Sequence, residues 1–259
     1  MKKFALIGHP VAGSLSPVLF NAAYAGRYSY DLIDAPFDEA WGRFLSSYDG
    51  INITAPYKQD AFAAVNWLSP GATACGAVNL VVKSLDGELR GYNTDVDGVV
   101  GAVRECGLAV SRALVLGAGG AARAAVVAAQ QLGCSEVVVA NRTHEKAVAL
   151  ASVMGCQVVP LADISLLSPD LIIYTIPGDA RSEPGMTSPG MTFSVIPGLT
   201  GDLLRNAVVL EAEYKHPSLA SMPCKRYIPG VRWLLWQAIA GYQLFTGEQP
   251  DCDAMARAI

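Results

Sequence analysis

Two groups of residues in this chain have types and spacings that suit chemistry. The first begins at the apolar run Ala113-Leu114-Val115-Leu116, which leads into Gly117-Ala118-Gly119-Gly120-Ala121-Ala122-Arg123. Gly117, Gly119 and Ala122 fit a G-x-G-x-x-A spacing between a strand and a helix. In that context the first glycine permits a tight turn and the second lets backbone approach a pyrophosphate. The small third residue keeps the helix against the strand. The phosphates then sit at a helix N-terminus, where free N–H groups and the dipole favour anions. The plain alternative is a tight turn in a sheet that holds no ligand. The next strand, Val137 to Ala140, runs into Asn141-Arg142-Thr143. An acidic residue here would bind a ribose 2′-hydroxyl, whereas Arg142 suits a 2′-phosphate. Thr143 is placed to cap the following helix and to donate to the same anion. A surface arginine after a capping threonine is the bland reading. The residue types favour NADP over NAD.

The second group is dispersed. Gly50-Ile51-Asn52-Ile53-Thr54-Ala55-Pro56-Tyr57-Lys58 starts as a buried strand, stops at a proline and places a cation just beyond. Four other pieces set polar residues beside strand ends or helix starts: Gly13-Ser14-Leu15-Ser16-Pro17, Gly76-Ala77-Val78-Asn79, Gly91-Tyr92-Asn93-Thr94-Asp95 and Glu211-Ala212-Glu213-Tyr214. Each has a structural reading as well. Ser16 before Pro17 suits an N-cap with proline at N1, Asp95 a helix N-terminus, Asn79 a turn and Lys58 a solvated loop. On the last helix, Trp233, Gln237, Gly241 and Leu244 share one stripe by their spacing. A glutamine among apolar neighbours is costly unless bonded, either to a ligand hydroxyl or to backbone.

The elements that must position these groups alternate. Phe4–Gly8, Tyr30–Ile33 and Gly50–Ile53 read as strands, with helices over Ser16–Gly26, Glu39–Ser47 and Ala61–Trp67. This rhythm implies a parallel sheet covered by helices. A second rhythm follows: strand Ala113–Gly117, helix Ala121–Leu132, strand Glu136–Ala140, helix Thr143–Met154, then strands Gln157–Val159, Leu171–Thr175 and Val208–Glu211. Val231–Thr246 is one long helix. Two α/β domains are expected, with a boundary near Asp95–Gly101. Gly178–Pro197 reads as loop, with Phe193–Ile196 extended.

Bulk properties narrow the function class. The 259 residues are 52% hydrophobic and carry a net charge of −4. No Lys/Arg-rich block is present, which argues against nucleic acid as a partner. No apolar run approaches the about 18 residues of a membrane span. The first apolar run, about five residues long, is too short for a secretory signal. Cys75, Cys106, Cys134, Cys156, Cys224 and Cys252 are scattered, as are His9, His144 and His216. Neither a metal site nor a disulfide framework is suggested, and free thiols fit a reducing cytoplasm.

Taken in order, S-L-S-P, N-I-T-x-P-x-K, G-A-V-N, G-x-N-T-D-x-x-G, G-A-G-G-A-A-R-A and N-R-T resemble shikimate dehydrogenases across nearly the whole chain. W-L-L-W-Q-A and F-T-G-E-Q-P resemble that family's final helix and tail. The resemblance implies an NADP-dependent oxidoreductase that reduces 3-dehydroshikimate to shikimate, reversibly, in aromatic amino-acid biosynthesis. It implies a substrate domain over residues 1–97 with a mostly parallel sheet, completed by a returning helix at 231–259. A Rossmann-type NADP domain would occupy 98–230, with a cleft between the two. Substrate contacts carry over onto Ser14, Ser16, Thr54, Lys58, Asn79, Asp95, Tyr214 and Gln237, with Lys58 and Asp95 as the catalytic pair. Cofactor contacts carry over onto Gly117, Ala118, Gly119, Gly120, Ala121, Asn141, Arg142, Thr143, Lys146, Thr175, Gly230 and Trp233. A monomer or homodimer acting on a small molecule in the cytoplasm is implied, with no metal.

On this reading, hydride delivery to a keto carbon leaves an alkoxide. A lysine near that oxygen stabilises and protonates it, while a carboxylate orients the lysine. Four departures fall mostly on the nicotinamide side. Gly13 stands where the family has histidine, and Tyr174-Thr175-Ile176-Pro177-Gly178 replaces N-A-T-P-x-G. Trp233 replaces methionine, and Glu211 replaces aspartate. The competing readings are a quinate/shikimate dehydrogenase of dual specificity, a non-catalytic binding homologue and, more distantly, a methylene-tetrahydrofolate dehydrogenase.

Overall fold

A computed structural model describes residues 2–176, 196 and 198–259. The loop expected over Gly178–Pro197 falls outside these residues, Ile196 excepted. In chain order the elements are β1 (Lys3–Gly8), α1 (Ser16–Tyr24), β2 (Ser29–Asp34), α2 (Phe37–Ser47), β3 (Gly50–Ile53), α3 (Lys58–Ala64), β4 (Trp67–Leu68), α4 (Pro70–Cys75), β5 (Leu80–Lys83), β6 (Leu89–Tyr92) and α5 (Asp95–Glu105). There follow β7 (Arg112–Leu116), α6 (Gly120–Gln131), β8 (Glu136–Ala140), α7 (His144–Met154), β9 (Gln157–Val158), a 3₁₀ helix (Leu161–Leu166), β10 (Leu171–Tyr174), α8 (Gly201–Arg205), β11 (Val208–Glu211), β12 (Arg226–Ile228), α9 (Gly230–Thr246) and α10 (Cys252–Arg257).

The chain forms two units, Met1–Gly101 with Trp233–Ile259, and Ala102–Arg232. In the first, six strands lie in the order β2-β1-β3-β5-β6-β4. β1 pairs in parallel with β2 and β3, β4 with β6, and β5 runs antiparallel to β3 and β6. The sequence along β1 alternates between two cores. Ala5 and Ile7 join Ile33, Phe44, Ile51 and Ile53. Phe4 joins Leu19, Phe20, Leu80, Tyr242 and Phe245. Phe4 stacks on Phe245 at 4.8 Å between centroids, and Phe20 meets Tyr242 edge-on at 4.8 Å. These contacts fasten α9 to the sheet, and each buried aromatic is worth about 1.5–3 kcal/mol.

The second unit is wholly parallel, in the order β12-β11-β10-β7-β8-β9. Counted from β7 this is the doubly wound 3-2-1-4-5-6 arrangement, with its switch point between β7 and β10.

The division between the units falls after Gly101, at the end of the expected Asp95–Gly101 region and inside α5. Gly98 and Gly101 permit close packing along this helix. A Cβ on Gly98 would overlap Trp233, and one on Gly101 would lie 2.5 Å from the Trp236 ring. Some details depart from the sequence expectation. The helix assigned to Ala61–Trp67 begins three residues earlier, at Lys58, and stops at Ala64 because Trp67 pairs with Arg90 in the sheet. α1 ends at Tyr24, where Ala25 turns left-handed at φ 51°. On α9, Leu244 is 39% exposed and drops off the buried stripe.

Candidate active site

In the first unit the topology assembles the dispersed motifs. β1 and β3 are parallel, and β5 reverses direction before β6 reverses it again. The carboxyl ends of β1, β3 and β6 therefore share an edge with the amino end of β5. Ser14 and Ser16 follow β1, Thr54 to Lys58 follow β3, Asn79 precedes β5, and Asn93 to Asp95 follow β6. Open α/β sheets bind ligands at this kind of edge.

Lys58 is not a solvated loop residue. It opens α3, and its Nζ donates to Asp95 Oδ2 at 2.5 Å, with the two side chains only 18% and 12% exposed. Asp95 opens α5, where the helix dipole favours its charge. Lys58 at the start of α3 opposes the dipole there, and the carboxylate of Asp95 offsets that repulsion. Asn93 anchors the turn: its Oδ1 accepts from Asp95 N at 3.2 Å and its Nδ2 donates to Ala77 O at 2.9 Å.

Asn79 is 3% exposed. Its carbonyl accepts from Ile53 N at 2.8 Å, tying it to β3. Its Oδ1 accepts from Thr94 N at 2.7 Å, and its Nδ2 donates to Thr94 Oγ1 at 3.2 Å. Gln237 is 9% exposed, and its Nε2 donates to Leu234 O at 3.1 Å, which turns Oε1 toward the Thr94 hydroxyl at 3.4 Å. The backbone thus meets part of the glutamine's demand and leaves one amide N–H without a partner among the described residues. Thr94 links Asn79 to Gln237, a role that sequence reading did not assign. Its position inside Asn-Thr-Asp between strand and helix is the signal that was available.

Ser16 is 6% exposed and is the first residue of α1, not its cap. The N-cap is Leu15, which makes no side-chain cap, and Pro17 takes the second position. The Ser16 hydroxyl is therefore not spent on the helix. Ser14 Oγ donates to Ser16 Oγ at 3.2 Å and accepts from Ser16 N at 3.2 Å. The loop before them is held by Asp34, which accepts from Val11 N at 3.1 Å and pairs with His9 at 2.5 Å. The His9 hydrogen bond, helped by Val11 N–H, holds the Asp34 carboxyl below its ordinary value. Thr54 comes close because Gly8 lacks a Cβ, which would overlap the threonine methyl. The Thr54 hydroxyl makes no hydrogen bond among the described residues.

Tyr214, Gly230 and the glycine loop belong to the second unit. Tyr214 is half-buried on the segment after β11. Trp233 belongs to the first unit, 5% exposed against Gly98. Gly117 has φ +124°, and a Cβ there would strike Thr175 Oγ1, whose hydroxyl donates to Leu116 O at 2.8 Å. Gly119 is the N-cap of α6, and a Cβ there would meet nothing within 4 Å, so the backbone is open to a close-lying group. Ala118 is half-buried, Gly120 and Ala121 form the first turn of α6, and Ala122 is fully buried against the sheet. After β8, Asn141 Nδ2 donates to Thr143 O at 2.9 Å. Arg142 is exposed and makes no ion pair among the described residues. Lys146 is also exposed, on the first turn of α7. Thr143 occupies the cap position of α7, but its side chain makes no cap hydrogen bond, contrary to expectation. Helix N–H groups, an open glycine and an unpaired guanidinium are donors that suit a dinucleotide bearing a 2′-phosphate.

Comparison with known proteins agrees with this arrangement. Residues 6–81 match the family model of the shikimate dehydrogenase substrate binding domain, and residues 102–179 match that of shikimate / quinate 5-dehydrogenase. The chain is 34% identical over 271 residues to a shikimate dehydrogenase (NADP(+)) of Thermus thermophilus, covering 100% of this chain and 97% of that one. It is 36% identical over 275 residues to the enzyme of the same name from Rubrobacter xylanophilus, covering 98% and 94%. Among solved structures, shikimate dehydrogenase of Mycobacterium tuberculosis aligns with a TM-score of 0.84 at 30% identity, covering 100% and 98%. A shikimate 5-dehydrogenase of T. thermophilus, in complex with NADP(H) and shikimate, aligns at 0.81 and 31%, covering 100% and 98%. On both sequence and fold, the chain belongs to the shikimate dehydrogenase family.

Proposed function

We propose that this chain catalyses the NADP-dependent, reversible reduction of 3-dehydroshikimate to shikimate. The observation that carries this reading is the Lys58–Asp95 pair, held at 2.5 Å between two helix starts on one sheet edge. When bound, NADPH supplies the hydride, and the protein supplies orientation and proton handling. In the reducing direction the carbonyl π pair moves onto oxygen as the carbon gains hydride. Lys58 Nζ stabilises that oxygen and gives it a proton, and Asp95 keeps the ammonium aimed. In the oxidising direction Lys58 takes the hydroxyl proton back.

Asn79, Thr54 and Gln237 hold ring hydroxyls, and Ser14, Ser16 and Tyr214 bind the carboxylate without adding formal charge. Residues 1–97 with 231–259 serve the substrate and 98–230 serve the cofactor. The glycine loop with Asn141, Arg142, Thr143 and Lys146 takes the adenosine phosphates. Thr175, Gly230 and Trp233 serve the nicotinamide side. The test is turnover of shikimate with NADP⁺, followed by NADPH formation, with Lys58→Met as the inactive control. Absence of turnover in the unsubstituted protein overturns the reading and favours a binding homologue.

A further inference from the structure

We propose that Tyr242, on α9, is a positioning residue that sets the Ser16 hydroxyl for the substrate carboxylate; this rests on the role given to Ser16 above. Tyr242 is fully buried, packed edge-on against Phe20 and stacked on Phe245. A phenylalanine would fill that space without the cost of enclosing a hydroxyl, which is high unless the hydroxyl is bonded. The hydroxyl of Tyr242 has a specific partner. It donates to Ser16 O at 3.0 Å.

That carbonyl lies in the first turn of α1, where it already takes the regular intrahelical bond. The phenol therefore adds a constraint to Ser16 and does not rescue an orphan acceptor. Other constraints on the serine pair are few. Leu15 provides no side-chain cap, and the hydroxyls of Ser14 and Ser16 meet each other at 3.2 Å, with the Ser14 hydroxyl also accepting from Ser16 N. α9 is itself fixed at the same point, because Tyr24 OH donates to Tyr242 O at 2.8 Å.

A second phenol supports the arrangement. Tyr30 lies beside Tyr242, with ring centroids 6.0 Å apart, and its enclosed hydroxyl interacts with the side chains of both Ser16 and Tyr242. Tyr30 OH donates to Asn52 Oδ1 at 2.7 Å, and Asn52 Nδ2 reaches Asn79 O at 3.4 Å. The buried phenols thus run beneath the site from the serines to Asn79. α9 carries both the Ser16 anchor and Gln237, so one rigid helix registers two ends of the substrate.

The test is a double-mutant cycle on Tyr242→Phe and Ser16→Ala, with kcat and KM measured for shikimate and NADP⁺. Tyr242→Phe keeps the ring and removes one hydrogen bond. It should raise KM for shikimate about three- to tenfold, leave kcat within about twofold and leave KM for NADP⁺ unchanged. In the Ser16→Ala background, Tyr242→Phe should add nothing further. A KM effect of the same size with and without Ser16 would show that the phenol acts through the fold at large, and would overturn the inference. If Ser16→Ala raises KM while Tyr242→Phe does not, the inference fails and the serine reading stands. If Ser16→Ala itself leaves KM unchanged, both fail.

Discussion

Removing the Lys58 ammonium separates its chemical role from its structural one. A positioned general acid contributes about 10²–10⁴ in rate, or about 3–5 kcal/mol. Lys58→Met should therefore lower kcat for shikimate oxidation by about that factor, while KM changes by no more than about threefold. The same change strands Asp95. Breaking a fully buried pair costs about 3–5 kcal/mol, but these side chains keep 18% and 12% of their exposure, which lets water screen the remaining charge. The α5 dipole further stabilises Asp95 by up to about 1 kcal/mol. A loss of about 1–2 kcal/mol in stability is the expected remainder, read from the urea midpoint. Methionine keeps much of the aliphatic stem in place, so packing is not the variable. Adding Asp95→Asn should return most of the stability and none of the rate. A folded Lys58→Met protein with kcat within about threefold of the parent would refute the proton-donor argument and leave Lys58 as a structural partner of Asp95.

Arg142→Ala should raise KM for NADP⁺ by about ten- to a hundredfold, the worth of one charge-assisted bond, and leave NAD⁺ kinetics nearly unchanged; equal effects on both cofactors would remove Arg142 from the 2′-phosphate. Burial pushes the phenols of Tyr30 and Tyr242 above their ordinary value of 10.0. Folding stability should be fully present below about pH 10 and fall above it by about 1.4 kcal/mol per pH unit for each phenol. Urea midpoints between about pH 9 and about pH 11 check this, and Tyr242→Phe should flatten the slope. Glu211 is fully buried and its carboxylate accepts from Ser218 N at 2.5 Å, Leu219 N at 3.0 Å and Tyr227 OH at 2.7 Å. Tyr227→Phe should cost about 1–2 kcal/mol and Glu211→Gln about 2–3 kcal/mol, the latter because an amide turns a donor toward donors; unchanged midpoints would show that water meets these groups.

Much of the second unit was legible because its signals are local. An apolar run of fixed length, a glycine spacing and a helical period each lie within a few residues, and the strands at Glu136–Ala140 and Val208–Glu211 were placed to the residue. The hairpin of β5 and β6 carries one local signal, the Asp86-Gly87 turn, with Gly87 at φ +85°. Its four-residue strands are too short to show a period. The roles of Gly98 and Gly101 are not legible locally, since the rings they accommodate, Trp233 and Trp236, lie more than a hundred residues away. In the candidate site, motif order carried the residue types through resemblance. The Lys58–Asp95 contact, the Thr94 bridge and the Tyr242–Ser16 bond span 37, 143 and 226 positions, and no local pattern encodes them. The cap assigned to Ser16 failed because the helix starts one residue earlier than Ser-Pro suggests, which leaves the hydroxyl for other use.

The most direct test of the central claim is kcat/KM for shikimate and quinate, each with NADP⁺ and NAD⁺, on one preparation. The account predicts that shikimate with NADP⁺ exceeds each other combination by at least about tenfold, or about 1.4 kcal/mol of differential transition-state binding. Comparable values for quinate, or a preference for NAD⁺, would contradict it.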